Sequence, residues 1–356
     1  MPRPHALLRV GFSFDRTLAW RGVISAPVDL AIGSDGAINV LNRPIGRARV
    51  RRLSVDDEDL GLFVLCHDRQ EIGPEEGKEE EASILRTDGK FLRPVSIVED
   101  NENHLWLSDE ATQKISSVTK EGHLLDQWGT QGENPGQLNG PSGIAFDPED
   151  NIYVSDSLNH RIQKFTKNGE FILGWGSRGD GAGQFNLPWG IEVDELGDVY
   201  VADWRNDRVQ RFNAEGEFIF EFGSTGTDHG KFDRPSDVAV DKDGDIYVSD
   251  WGNHRVQLFN SEGQFVEKFI GDGTLSKSAR EYMMTNPMNM RLREMTDIEP
   301  QKRLRWPASV EIDRDGRMYV ADYGSSRLQV YKKEAYPLEP HQIGDHFKAP
   351  TLFTQF

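Results

Sequence analysis

Three stretches decide the fold: NIYVSDSLNHRIQKF (Asn151–Phe165), DVYVADWRNDRVQRF (Asp198–Phe212) and DIYVSDWGNHRVQLF (Asp245–Phe259). Tyr153, Tyr200 and Tyr247 stand 47 residues apart, and Trp106 precedes Tyr153 by the same interval. A fixed period of this size marks one supersecondary unit, copied and stacked. Two fainter copies flank these, HLWLSDEATQKISSV from His104 and RMYVADYGSSRLQVY from Arg317. A sixth, AINVLNRPIGRARVRRL from Ala37, aligns if its central loop carries two extra residues.

Each copy reads as four short alternating strands joined by Asp-Gly and Asn-Gly style turns, which is the blade of a β-propeller. In the fifth copy these are SDVAVD, IYVSD, RVQLFN and QFVEKFIG, strands A to D. One blade cannot bury both faces, and six in a ring can. The expected fold is therefore all-β, a single six-bladed propeller of four-stranded antiparallel blades. The blades fall at about 25–66, 93–129, 140–176, 187–223, 234–270 and 305–331. The last copy lacks a strand D. The segment Leu7–Phe14 has no blade of its own, so it is expected to supply that strand and close the ring. Spacings of 67 and 72 residues, against 47, leave an acidic insertion at 67–92 and a methionine-rich, lid-like one at 271–304. The acidic insertion reads as a loop without fixed structure. Residues 332–356 form a C-terminal tail.

The motif DxxNxR, as in Asp156–Arg161 and Asp250–Arg255, resembles the NHL repeat family over about residues 25–331. Asn42 departs from it in blade one and Lys114 in blade two. The repeated Asp/Arg pairs read as structural staples. His160 and His254 share a slot with Asp207 and Ser326, and a position filled so variously reads as exposed.

Composition bounds the function. A net charge of −18 and no basic stripe oppose nucleic acid and anionic membranes. The single Cys66 excludes an internal disulfide, and the first twenty residues hold no apolar run long enough for a secretory signal. A cytoplasmic setting is expected.

Function should lie where the copies differ. Every strand A is announced by a proline. Two residues on stand Asp29 and Asp237, and four on stand Glu192 and Glu311. Residues two apart on a strand face the same way. These four come from blades four, five, six and one, consecutive around a closed ring. Carboxylates so grouped ask for channel water, for pairing with Arg93, Arg234 or Arg305, or for a divalent cation such as Ca²⁺. Trp189 and Trp306 flank strand A prolines, and Trp204, Trp251 and Tyr323 begin B–C loops of the same sector. All of these were expected at one mouth, the top.

Family resemblance narrows the chemistry. NHL-like amidating lyases place zinc-binding histidines just after the blade prolines, where this chain has Val28, Val95, Ser142, Trp189, Ser236 and Ala308. Gluconolactonase-like propellers hold channel calcium with inner-strand carboxylates, similar in kind to Asp29, Glu192, Asp237 and Glu311. The leading expectation is a propeller that binds a small ligand or a partner protein segment at the top rim. The alternative is a metal-dependent, lactonase-like hydrolase or a lyase using the channel carboxylates.

Overall fold

The computed structural model describes residues 7–44, 48–65, 85–86, 91–285, 288, 291, 295 and 297–337. Six sheets are arranged as blades around an axis. Their innermost strands are Pro27–Ile32, Pro94–Glu99, Pro141–Phe146, Pro188–Val193, Pro235–Val240 and Pro307–Ile312. Four blades take their strands consecutively, and blade one adds a parallel fifth, Leu85–Arg86, beside Asp59–Val64. Blade six is completed by the N-terminal strand Leu7–Leu18, antiparallel to Arg327–Pro337. That strand is four residues longer than expected. The acidic stretch 71–83 lies outside the described residues.

Burial explains the pattern. Each of the six interfaces between neighbouring blades holds one apolar cluster. Between blades two and three, for example, Trp106 and Ile115 meet Ile144, Val154 and Phe165. The repeated aromatic on strand B has a polar duty as well. Tyr247 donates to Asp241 at 2.9 Å, Tyr319 to Asp313 at 3.0 Å and Trp106 to Asp100 at 2.9 Å. Each of these aspartates also accepts backbone N–H groups of its own A–B turn, as Asp241 does from Asp243 and Asp245. The turn and the core are thereby tied through one carboxylate.

The DxxNxR motif ties the loop leading into each blade. Arg208 meets Asp203 at 3.0 Å and gives its other donors to the carbonyls of Asp180, Gly181 and Gln184. Arg161 and Arg255 repeat the arrangement with Asp156 and Asp250.

The variable slot is not simply exposed. His160 Nδ1 accepts the Leu187 N–H at 3.1 Å, and Asp207 Oδ1 accepts that of Arg234 at 2.7 Å. His254 Nδ1 serves Trp306 at 3.0 Å, and Ser326 serves Ala26. Leu187, Arg234, Trp306 and Ala26 each precede a strand A proline and hold positive φ. The slot therefore needs an acceptor that caps the next blade, and His, Asp and Ser all provide one.

The insertion 271–304 is described at residues 271–285, 288, 291, 295 and 297–304. Its helix α1 (Lys277–Met284) docks at the joint between blades six and one. Ser278 bonds Asp57 through its N–H at 2.7 Å, and Tyr282 stacks on Trp20 at 4.6 Å.

Replacing His160 with Ala strands the Leu187 N–H and should cost about 1 kcal/mol, whereas His160→Asp keeps an acceptor and should cost much less. Urea unfolding of the two variants checks this, and equal losses would count against the capping role.

Candidate functional site

A bulge separates the proline of each strand A from the residues that follow, freeing a backbone N–H three residues on. The position two after the proline answers it from the neighbouring blade. Asp29 Oδ2 accepts from Ile97 at 2.8 Å, and Asp237 Oδ2 accepts from Val310 at 3.0 Å. Ser96 Oγ serves Ile144 at 3.4 Å. At Gly143 and Gly190 the blades approach too closely for any side chain: a Cβ would lie 2.4 Å from the Trp189 carbonyl and 2.5 Å from Asp237 Oδ1 respectively. Asp29 and Asp237 are thus part of the inner seam as well as of the channel wall.

Glu192 and Glu311 stand one step further along the channel. The structure brings all four carboxylates within electrostatic reach, and Glu311 feels Glu192, Asp237 and Asp29 together. All four are half-buried. Burial, opposed by bonds from Ser309 and the Ile97 N–H, pushes Asp29 up to about 6. Burial and the charges of Asp237 and Asp194 push Glu192 up to about 8. Asp237 and Glu311 are raised well above the usual carboxylate range, first by burial and then by their acidic neighbours.

The three arginines do not relieve this repulsion. Arg93 pairs with Glu110 at 2.7 Å, and Arg234 pairs with Asp233 at 3.0 Å. Arg305 lies over Trp306. The loops that carry them emerge at the proline end of strand A, above the carboxylates. As to metal, the trio of ligand atoms found within 4.8 Å of one another among the described residues is Asp100, Glu102 and His104, at the A–B turn of blade two. The channel quartet forms no such closed set. It could hold a divalent cation only with water completing the coordination shell.

The aromatic residues do assemble. Trp189, Trp204, Trp251 and Trp306 form a strip over blades four, five and six, with successive centroids 5.6, 5.6 and 6.1 Å apart. The Arg234 guanidinium lies 5.0 Å from the Trp251 ring and that of Arg305 5.7 Å from Trp306. Trp306 is 37 % exposed and Tyr323 36 %. The indoles of Trp106 and Trp128 donate to Asp100 and to the Lys167 carbonyl. Among the described residues, the four strip indoles donate to no protein acceptor.

One member of the quartet reaches the other end of the channel. A cleft of about 470 Å³ opens at the other end, between the A–B turns of blades four, five and six. Glu192 lines it, as do Asp194, Asp241 and Asp313. Lys333 gathers Asp241, Asp243 and Asp245 there, the last two at 2.8 and 2.9 Å. Strand A runs the length of the channel. Two residues of further travel carry Glu192 toward the opposite face. Lys333 was missed because its partners lie ninety residues away in the neighbouring blade.

Above the unfolded carboxylate range, near 4.3, folded Glu192 holds its proton while the unfolded chain loses it. Stability from this group is therefore fully present below that range and lost as pH rises through about 8. Glu192→Gln should flatten the fall of the urea midpoint between pH 5 and 8 and exceed the wild type above pH 8. A slope identical to wild type would contradict the burial of this charge.

Comparison with known proteins agrees with the geometry. The NHL repeat family model matches residues 138–165, 185–212 and 232–259, which lie in blades three, four and five. No curated protein matches the chain in sequence. Among solved structures, virginiamycin B lyase from Staphylococcus aureus aligns with a TM-score of 0.53 at 13 % identity, over 90 % of this chain and 99 % of that one. A gluconolactonase from Xanthomonas campestris aligns at 0.55 and 15 %, covering 93 % and 91 %. The WD40 propeller domain of Doa1 aligns at 0.56 and 12 %, covering 91 % and 97 %. Identities this low speak for shared architecture alone. Among the described residues, no helix is long and apolar enough to cross a membrane.

Proposed function

From a six-bladed propeller that carries NHL repeats, we propose a binding module that holds a small ligand or a partner protein segment on the tryptophan strip at the top rim. The observation that carries this reading is the run of four adjoining indoles with two arginines lying on them. Among the described residues, none of the four indole N–H groups donates to a protein acceptor. Aromatic rings with an available polar edge are the usual anchors of interfaces. A chain of −18 charge takes up neither nucleic acid nor an anionic membrane readily, and one cysteine suits a cytoplasmic setting.

Selection from an unbiased peptide-display library tests the reading. Binders should survive on wild type and be lost on Trp251→Ala, with folding of the variant checked by circular dichroism. Binders indifferent to that substitution would place the site elsewhere.

A second reading is a metal-dependent hydrolase or lyase. What supports it is four carboxylates in one channel, two of them without a backbone N–H from the next blade. Glu192, Asp237 and Glu311 would hold a cation such as Ca²⁺, which would polarise a substrate carbonyl. Calcium should then raise the melting temperature of wild type and not of Asp237→Ala. No shift in wild type at millimolar calcium would remove this reading.

A further inference from the structure

We propose that the occupant of the tryptophan strip is an extended, acidic segment of a partner protein. This rests on the rim-binding reading above and names the chemistry of its ligand.

The strip is rich in donors, and the carboxylate beside it, Asp233, is paired with Arg234. An indole offers one N–H and a guanidinium only N–H groups. The four indoles are unclaimed by the protein. The exposed Arg305 meets no carboxylate among the described residues, and Arg234 gives only its Nε to Asp233. A guanidinium lying on a ring face keeps its N–H edge pointed outward, where a carboxylate can take two bonds in parallel. The imidazole beside Trp306 is no free acceptor, because His254 Nδ1 already accepts the backbone N–H of Trp306. A surface of this kind is complemented by a ligand rich in acceptors and carrying negative charge.

Length favours a peptide over a compact molecule. The indoles cross three blades in steps of 5.6, 5.6 and 6.1 Å. An extended chain of the polyproline type rises about 3.1 Å per residue, so roughly five or six residues would lie along the strip. Their carbonyls face the indole N–H groups, and flanking carboxylates reach Arg234 and Arg305. Single-stranded RNA also stacks on aromatics, but it brings a phosphate with every nucleotide. Two arginines on a chain of −18 charge are a poor match for that.

Fluorescence anisotropy decides it with three labelled probes: a dodecapeptide of alternating Glu and Pro, its Lys-Pro counterpart and a uridine dodecamer. The Glu-Pro probe should bind wild type, and Arg305→Ala and Trp306→Ala should each weaken it about tenfold or more. Lys242→Ala, at the opposite mouth, should leave it unchanged. Raising the salt concentration should weaken binding to wild type more than to Arg305→Ala. Strip-dependent binding of the Lys-Pro probe or the RNA in preference to Glu-Pro would overturn the acidic class and leave the rim site standing. Failure of Glu-Pro to bind at ~1 mM, an affinity of only about −4 kcal/mol, would overturn the acidic class. The display selection then decides the rim independently. Glu-Pro binding insensitive to both substitutions would remove rim and class together.

Discussion

In blades three to six, the irregular connection leading into the blade depends on the Asp–Arg pair at the head of strand C. Asp203 and Asp250 are fully buried, and their arginines nearly so. Desolvation raises these aspartates despite bonds from the arginine, an asparagine and a backbone N–H. Such a pair contributes little net stability over an apolar pair of the same shape. What it supplies is position. The guanidinium is the one group that can hold three carbonyls of an irregular connection and a carboxylate at once. Without that anchor, the loop carrying each blade into the next would leave its carbonyls unpaired against the sheet.

The positions that announce the fold were legible because they recur, and they recur because each copy meets the same neighbours. Tyr153, Tyr200 and Tyr247 fill equivalent gaps between blades and are fully buried. The prolines are legible for the same reason: each sits where a strand enters the ring with its N–H unneeded. The N-terminal closure was legible by subtraction, since blade six lacks a strand and Leu7–Phe14 lacks a blade. The slot after DxxN varies in residue type because His160, Asp207, His254 and Ser326 share an acceptor rather than a shape.

The candidate site was legible in membership more than in arrangement. Period-two facing selected Asp29, Glu192, Asp237 and Glu311, and the structure gathers them. Sequence could not say that Asp29 and Asp237 would be drawn into the seam, because the bulge that frees the Ile97 and Val310 N–H groups has no residue signature. Nor could it assign the arginines. Arg234 found a partner beside it in Asp233 and Arg93 one in Glu110 of the adjoining B–C loop, at a fraction of the entropic cost of reaching down the channel.

The resulting molecule has two unlike ends. At the proline end, donors stand on aromatic faces; at the turn end, carboxylates line a cleft around Lys333. Between them, four carboxylates repel one another without a basic side chain among the charges that act most strongly on them. That arrangement survives because the groups can hold protons, so the channel carries less negative charge than its composition suggests.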